Sequence, residues 1–539
     1  MNMEMFAARR HGCRPMVPGA FWLIALFVAL SLAAPSTLRA SGPLPGIGDL
    51  FARENIRIAL ELRAELDPVV RQQPPIEGQG PNRGVRQVRL DANSGYILVD
   101  LHVDQLQQGY GYISGDLEDQ LTELVVRASD LVAHRIAIDG VDFLFDGKDI
   151  YHYYPDERPG HHDARAGWMP FAATDVLVSA GHGAYYHHGF NDWRLQRDPV
   201  NGIVEDDLTP VYAAELSALL AARSGSQVHR PRSTGTDEHE PSGYAWWRMG
   251  ARYHLANVLP DEPGIWNSLP DATTNLRERD EDIRSRPLLA NHLGVDVALH
   301  LHTNAAGPAA TGTRVFFQTG RAGSQALGDS ILCYMREVIQ AQEGYETFNV
   351  PARAVGANHG ENRLAQMDSV IVEVAFHTNP QDAAALLDPA FRSAAMKGVE
   401  KGYRLLRQGE SCIHLDITGI PHASGPWGGS AEVEVSFEGF PQFPLDLVVD
   451  LIDCPPGYVC TPGQLRFEDE VPSPITYAIG CNSDPDSPPA SAQWRTTLID
   501  ADGVSTEQLH AITCGSSPIG PGEPATDGPP RAGSIRVRE

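Results

Sequence analysis

The period of the hydrophobic positions changes several times along this chain, and each change marks a different element. "LFARENIRIALELRAEL", Leu50 to Leu66, is an amphipathic helical stretch. The Pro/Gly/Gln-rich run "RQQPPIEGQGPNRG" follows and reads as a boundary, so 41–85 is taken as a helical segment and linker. "GYILVDLHVDQL" is strand-like, "DLEDQLTELVVRASDL" has helical period, and "IDGVDFLFDG" reads as a hairpin-like pair of short strands. Together these predict a small α/β module over 86–165.

From 171 to 408 apolar strands and helices alternate. "TDVLVSA", "SQVHRPR", "VDVALHLHT", "TRVFFQT" and "SVIVEVAF" read as strands. Leu208, Tyr212, Leu216 and Leu219 fall on one helix face. Asp388 and Pro389 suit the N-cap and first position of another helix. The alternation predicts an α/β fold, an open sheet flanked by helices, with ligands bound beyond the carboxyl ends of its strands. After 412 the segments "AEVEVSFEG", "LDLVVDLID", "PITYAIGC" and "AQWRTTLIDADG" alternate with period two between Pro/Gly turns. They predict an immunoglobulin-like β-sandwich over 412–515. Residues 516–539 are expected to form a disordered tail.

Length and charge narrow the function. At 539 residues several domains are expected. The net charge is −27 and no block of Lys and Arg is present, which argues against a nucleic-acid partner. Arg9, Arg10 and Arg14 precede the apolar run "AFWLIALFVALSLAA", too short for a typical membrane span but normal for a signal-peptide core. Cleavage after Ala40 would remove 1–40. That segment holds four Arg and one Glu, so the exported chain would carry −27 − 3 = −30. An uncleaved anchor is the alternative. With cleavage the mature chain keeps no stable membrane span, and periplasm or exterior is the expected location. Cysteine usage agrees with export, because five of the seven cysteines lie between 412 and 514. Cys454–Cys460 and Cys481–Cys514 are the expected pairs, and a zinc ribbon is disfavoured because no two CxxC units occur. Nothing in the sequence bears on oligomeric state.

Four residues carry candidate chemistry. His182 stands between Gly181 and Gly183 after the strand "DVLVSA". Glu205 immediately precedes a helix, and His302 and Glu373 end the strands "VDVALHLH" and "SVIVE". Two imidazoles and one carboxylate suit Zn²⁺ and leave a fourth position for water, whose pKa then falls to about 7. Glu373 is a lone acid in an apolar strand, the type of group that accepts a proton and passes it to a leaving amine. Each residue alone has a plainer reading: a structural turn, a packed strand histidine, a first-turn acid favoured by the helix dipole.

The ordered set "SAGHG", "GIVEDDL", "VDVALHLHTNA" and "VIVEVAFHTNP" resembles the zinc-dependent N-acetylmuramoyl-L-alanine amidases of the Amidase_3 type. "RSRPLLANHLGVD" resembles the helix that leads into their third element. The resemblance implies a peptidoglycan hydrolase with zinc on His182, Glu205 and His302 and with Glu373 as catalytic acid/base. The scissile bond would be the amide between the lactyl group of N-acetylmuramic acid and L-alanine. The 86–165 module more loosely resembles GerMN-type modules.

There are departures from the family pattern. Ser179-Ala180 precede the GHG turn, Ala184 follows it, and "YYHHGFNDWRLQRDP" is inserted before Glu205, leaving His187 or His188 as an alternative ligand. His300 replaces a usual Ser. The insertion 240–270 carries Trp246, Trp247, Tyr253 and Trp266, either a sugar-stacking wall or the core of an added helical part. Rival functions are the same chemistry on another amide and a non-catalytic wall-binding or regulatory protein.

Overall fold

The computed structural model describes residues 47–91, 94–159, 174–483, 487–515 and 536–537. The expected signal segment 1–40 lies outside them, as does most of the expected tail. Helix α1 (Ile47–Gln72) buries Ile58, Leu62, Leu66 and Val70, one residue per turn. Strands β1 (Val85–Asp91) and β2 (Tyr96–Leu101) pair antiparallel. Helix α2 (Gly115–Val132) starts at Ser114, whose hydroxyl accepts the Leu117 N–H. Strands β3 (Gly140–Phe145) and β4 (Lys148–Asp149) form a hairpin; the stretch 138–147, expected to hold two short strands, holds β3 alone, and β4 follows it.

The next segment supplies β5 (Asp175–Ala180), the hairpin β6 (Tyr185–His187) and β7 (Asp192–Arg194), α3 (Glu205–Leu219) and β8 (Gln227–His229). It continues with α4 (Ala251–Val258), α5 (Arg277–Leu293), β9 (Val297–Asn304), β10 (Arg314–Phe317) and α6 (Ala322–Gln340). It closes with β11 (Val355–Gly356), the short α7 (Gly360–Leu364), β12 (Asp368–Phe376) and α8 (Pro389–Arg407). The sheet order is β1-β2-β3-β11-β10-β12-β9-β5-β8, with β4 on β3. The sheet is mixed: β12, β9, β5 and β8 run parallel, and β10 is antiparallel to β12. The N-terminal module is therefore not a separate bead. Its β3 joins β11 at Gly140 and Gly356, and its strands extend the same sheet.

Period two sorts the strand residues between faces. Val297, Leu299 and Leu301 of β9 join Val370, Val372 and Val374 of β12 in one cluster with Leu216, Ile331, Met335 and Val399 from α3, α6 and α8. Ala298 and Leu177 face the other way, onto Leu255 and Leu289 of α4 and α5. His300, His302 and Glu373 share this second face by the same alternation. Each fully buried Val or Leu contributes about 1.5–3 kcal/mol, which fixes the register and hence the face on which the polar residues emerge.

Beyond α8, strands β13 (Asp416–Gly419), β14 (Ala423–Pro426), β15 (Ser430–Glu438), β16 (Leu445–Asp453), β17 (Gly463–Phe467), β18 (Ile475–Gly480), β19 (Ala490–Ile499) and β20 (Ser505–Gly515) follow. They make two sheets, mostly antiparallel, as expected of a sandwich. The last described pair, Arg536–Val537, adds a short strand to β18 within the segment expected to be a tail. Cys454–Cys460 and Cys481–Cys514 pair as expected, and Cys333–Cys412 ties α6 to the start of the sandwich. That third disulfide accounts for the proximity of Cys333, Cys412 and His414 without a metal.

Candidate active site

The Gly-His-Gly turn caps β5. His182 takes φ +58° and Gly183 φ +132°, so the chain reverses within two residues. A Cβ at Gly181 would overlap the His302 ring, and one at Gly183 would meet the backbone of Gly250. Both glycines are therefore set by close approach, not by loop flexibility. Asp206, fully buried, accepts the N–H groups of Gly183 (2.9 Å), Gln196 (2.8 Å) and Arg197 (3.0 Å). It locks the turn to the far end of the β6–β7 insertion.

Glu205 is the first residue of α3 itself, not the residue before it. His302 and Glu373 lie a few residues inside their strands, which extend to Asn304 and Phe376. The two are direct partners in the parallel β9–β12 register. The register breaks between His302 and Asn304, and the Thr303 N–H turns to Glu205 Oε1 at 2.7 Å.

These elements bring His182, Glu205 and His302 together. His182 Nε2 lies 3.1 Å from His302 Nδ1 and 3.3 Å from Glu205 Oε1, and His302 Nδ1 lies 3.6 Å from the same oxygen. One ligand atom from each falls within 4.8 Å of the others. Among the described residues, buried Glu205 Oε2 has no hydrogen-bond partner. Two imidazole nitrogens and a carboxylate converging with an unsatisfied oxygen fit a divalent cation such as Zn²⁺. The other ring nitrogens are held: His182 Nδ1 faces Gln196 Oε1 at 3.2 Å, and His302 Nε2 faces Glu361 Oε2 at 2.8 Å.

Electrostatics separate the two glutamates. Burial raises the Glu205 carboxyl, but His182 and His302 overcome this and hold it well below its usual range. Burial dominates at Glu373 and pushes it up to about 8, against the pull of His302. Glu373 Oε2 has no hydrogen-bond partner either. One carboxylate is thus kept charged and the other readily protonated, the division of labour a metal ligand and an acid/base require.

The four residues line a cleft of about 200 Å³, partly open to solvent. Gly115, Glu118, Asp119 and Thr122 of α2 form one wall, so the N-terminal module builds part of the site. Arg197 crosses the cleft, with Nε 3.3 Å from His182 Nε2 and 3.7 Å from Glu205 Oε2. His377 lines it as well, bonded to Thr303 Oγ1 at 2.9 Å. His300 is fully buried with Nδ1 3.3 Å from Glu361 Oε1. His187 packs on Phe190, and His188 reaches Glu278 at 3.3 Å; neither belongs to the ligand group. Trp246, Trp247, Tyr253 and Trp266 are half-buried and are not among the cleft residues. Trp246 meets His239, Tyr253 meets Trp193, and Trp266 donates to the Leu259 carbonyl, as the core of an added part would.

Sequence reasoning did not single out Glu361, Arg197, Asp119 or His377. His377 carried a faint signal, being polar directly after a predicted strand, and Glu361 carried none. Asp119 carried none, since it reads as one acid among several on a helix.

Residues 176–404 match the family model Amidase_3, N-acetylmuramoyl-L-alanine amidase. No curated protein matches the chain. Among solved structures, an N-acetylmuramoyl-L-alanine amidase of Clostridium difficile 630 is 17% identical, covers 43% of this chain and 94% of its own, and gives a TM-score of 0.28. AmiC2 of Nostoc punctiforme is 14% identical over 43% and 94%, with a TM-score of 0.28. Ami1 of Mycobacterium smegmatis is 17% identical over 45% and 100%, with a TM-score of 0.29.

Proposed function

We propose that this chain, whose residues 176–404 match the Amidase_3 family model, cleaves the amide between N-acetylmuramic acid and L-alanine of the peptidoglycan stem. The observation that carries this reading is the convergence of His182, Glu205 and His302 within 4.8 Å on a cleft that also holds Glu373. His182 Nε2, His302 Nδ1 and Glu205 would hold Zn²⁺. When bound, the ion supplies Lewis acidity to the scissile carbonyl and acidifies water. Glu373 accepts the proton that the attacking water loses and delivers it to the departing nitrogen, so the lactyl carboxylate and the free amine of L-alanine leave together. Without the ion, burial pushes this carboxyl up to about 8; a bound cation would draw it down and leave the carboxylate form that accepts the proton. The α2 wall and Arg197 narrow the approach and orient the stem.

The charged, cysteine-paired chain is read as exported, with 1–40 as its signal segment. Among the described residues no helix is long and apolar enough to cross a membrane. The test is mass spectrometry of peptidoglycan digested with the mature chain. Expected products are free stem peptides and unsubstituted lactyl groups, lost with a chelator and restored by zinc. Glu373→Gln should abolish turnover and leave zinc binding intact. Zinc binding without any muropeptide cleavage would favour a wall-binding protein that keeps the fold.

A further inference from the structure

We propose that Glu361 is a positioning residue that presents His302 to the metal ion, through a chain of hydrogen bonds that also fixes His182. The inference rests on the zinc reading above and deepens it. Glu361 is buried on α7, outside every strand that carries a ligand. Its two oxygens do different things. Oε2 accepts a hydrogen bond from His302 Nε2 at 2.8 Å, and Oε1 accepts from Arg286 Nη1 at 2.6 Å.

The plainer account is that Glu361 merely neutralises Arg286. But Arg286 already has Asp282 as a partner through its other terminal nitrogen. A carboxylate serving only as counter-ion would be free to engage the guanidinium with both oxygens. Here one oxygen is spent on His302, and an Nε2–H directed at it leaves Nδ1 as the nitrogen that would take the ion. Nδ1 is the nitrogen that faces His182 and Glu205.

The chain then continues. Asp282 accepts Gln196 Nε2 at 2.8 Å, and Gln196 Oε1 faces His182 Nδ1 at 3.2 Å. His182 is thereby left with its lone pair on Nε2. Both candidate ligand rings are oriented from the ends of one path, His302–Glu361–Arg286–Asp282–Gln196–His182. Outer carboxylates of this kind set ligand tautomer and basicity, and their loss costs about 10–100-fold in metal affinity.

The experiment measures zinc affinity of the full chain by competition with a chelating dye, in wild type, Glu361→Gln and Glu361→Ala. Glu361→Ala should bind zinc about 10–100-fold more weakly. Glu361→Gln, which still accepts from His302, should lose less. Nitrogen NMR of ¹⁵N-histidine-labelled, zinc-loaded wild type should show His302 metallated at Nδ1 with a proton on Nε2. If Glu361→Ala does not fold, Glu361→Gln and the wild-type spectrum decide. Wild-type affinity in the folded variants, or metallation at Nε2, overturns the proposal. A wild-type chain that binds no zinc overturns the metal reading itself, and zinc binding without cleavage overturns only the substrate.

Discussion

Asp119 of α2 grips Arg197 with both oxygens, at 2.7 and 2.8 Å, across 78 positions of sequence. The pair holds the Arg197 Nε–H on the very lone pair of His182 that a metal ion needs. It also places a positive charge 3.7 Å from Glu205. Both effects oppose cation binding. Arg197→Met should therefore tighten zinc binding, by on the order of tenfold once partial solvent screening is allowed for. Chelator competition on wild type and variant checks it. Unchanged or weaker binding would mean that the arginine stabilises Glu205 more than it competes with the ion.

Glu373 makes the metal-free protein sensitive to pH. Its carboxyl is raised from 4.5 to about 8, so between those values the folded chain binds a proton that the unfolded chain has lost. The contribution of Glu373 to stability must then fall as pH rises from about 4.5 through about 8. Glu373→Gln removes the ionisation while keeping the shape. In urea titrations without metal the variant should match wild type near pH 4.5. It should exceed it near pH 8.5 by on the order of a few kcal/mol. Parallel curves at both pH values would contradict the shift and its cause, burial.

Much of this site is legible in the sequence because period two fixes faces. Once β9 and β12 are recognised as buried parallel strands, His302 and Glu373 must emerge on the polar exceptions of their apolar runs, and the register makes them neighbours. The turn at His182 is legible because only glycine tolerates the approach of His302 and of Gly250 on either side. Glu361 and Asp119 are a different case. Glu361 sits on a five-residue helix between strands and Asp119 on a helix of the preceding module, and no local pattern ties either to the ligands. Their contacts with the candidate ligands arise from tertiary structure alone. The same holds for the joining of the module's strands to the main sheet, which hangs on a single pairing between Gly140 and Gly356.

Asp206 and Asp207 are neighbours with unequal duties. Asp206 satisfies three backbone N–H groups in a fully buried site. Asp207 pairs with Arg248 at the surface, both partners more than a quarter exposed. Asp206→Ala strands those donors and should destabilise the protein by on the order of 3 kcal/mol, with weaker zinc binding because the His182 turn loses its anchor. Asp207→Ala should cost less than about 1 kcal/mol. Urea denaturation of the two variants side by side gives the contrast, and equal losses would remove the special role assigned to Asp206.

The sandwich is bound to the catalytic part by more than a linker. Its Leu447, Tyr477, Trp494 and Ile512 belong to the same continuous apolar cluster as Leu299 and Met335. Buried Lys401 meets Glu337 at 2.6 Å, and Glu337 in turn accepts the Leu415 N–H at 2.8 Å. Arg223 grips Asp502 through two bonds of 2.8 Å. Cutting the chain after Arg407 would strip Glu337 of the Leu415 N–H and Arg223 of Asp502, and expose apolar surface on α6 and α8. The full chain should therefore unfold across 174–515 in one transition. The fragment ending at Arg407 should melt well below it or aggregate. Calorimetry distinguishes the outcomes: two separate transitions in the full chain, with the fragment reproducing one of them, would show that the sandwich folds and acts on its own.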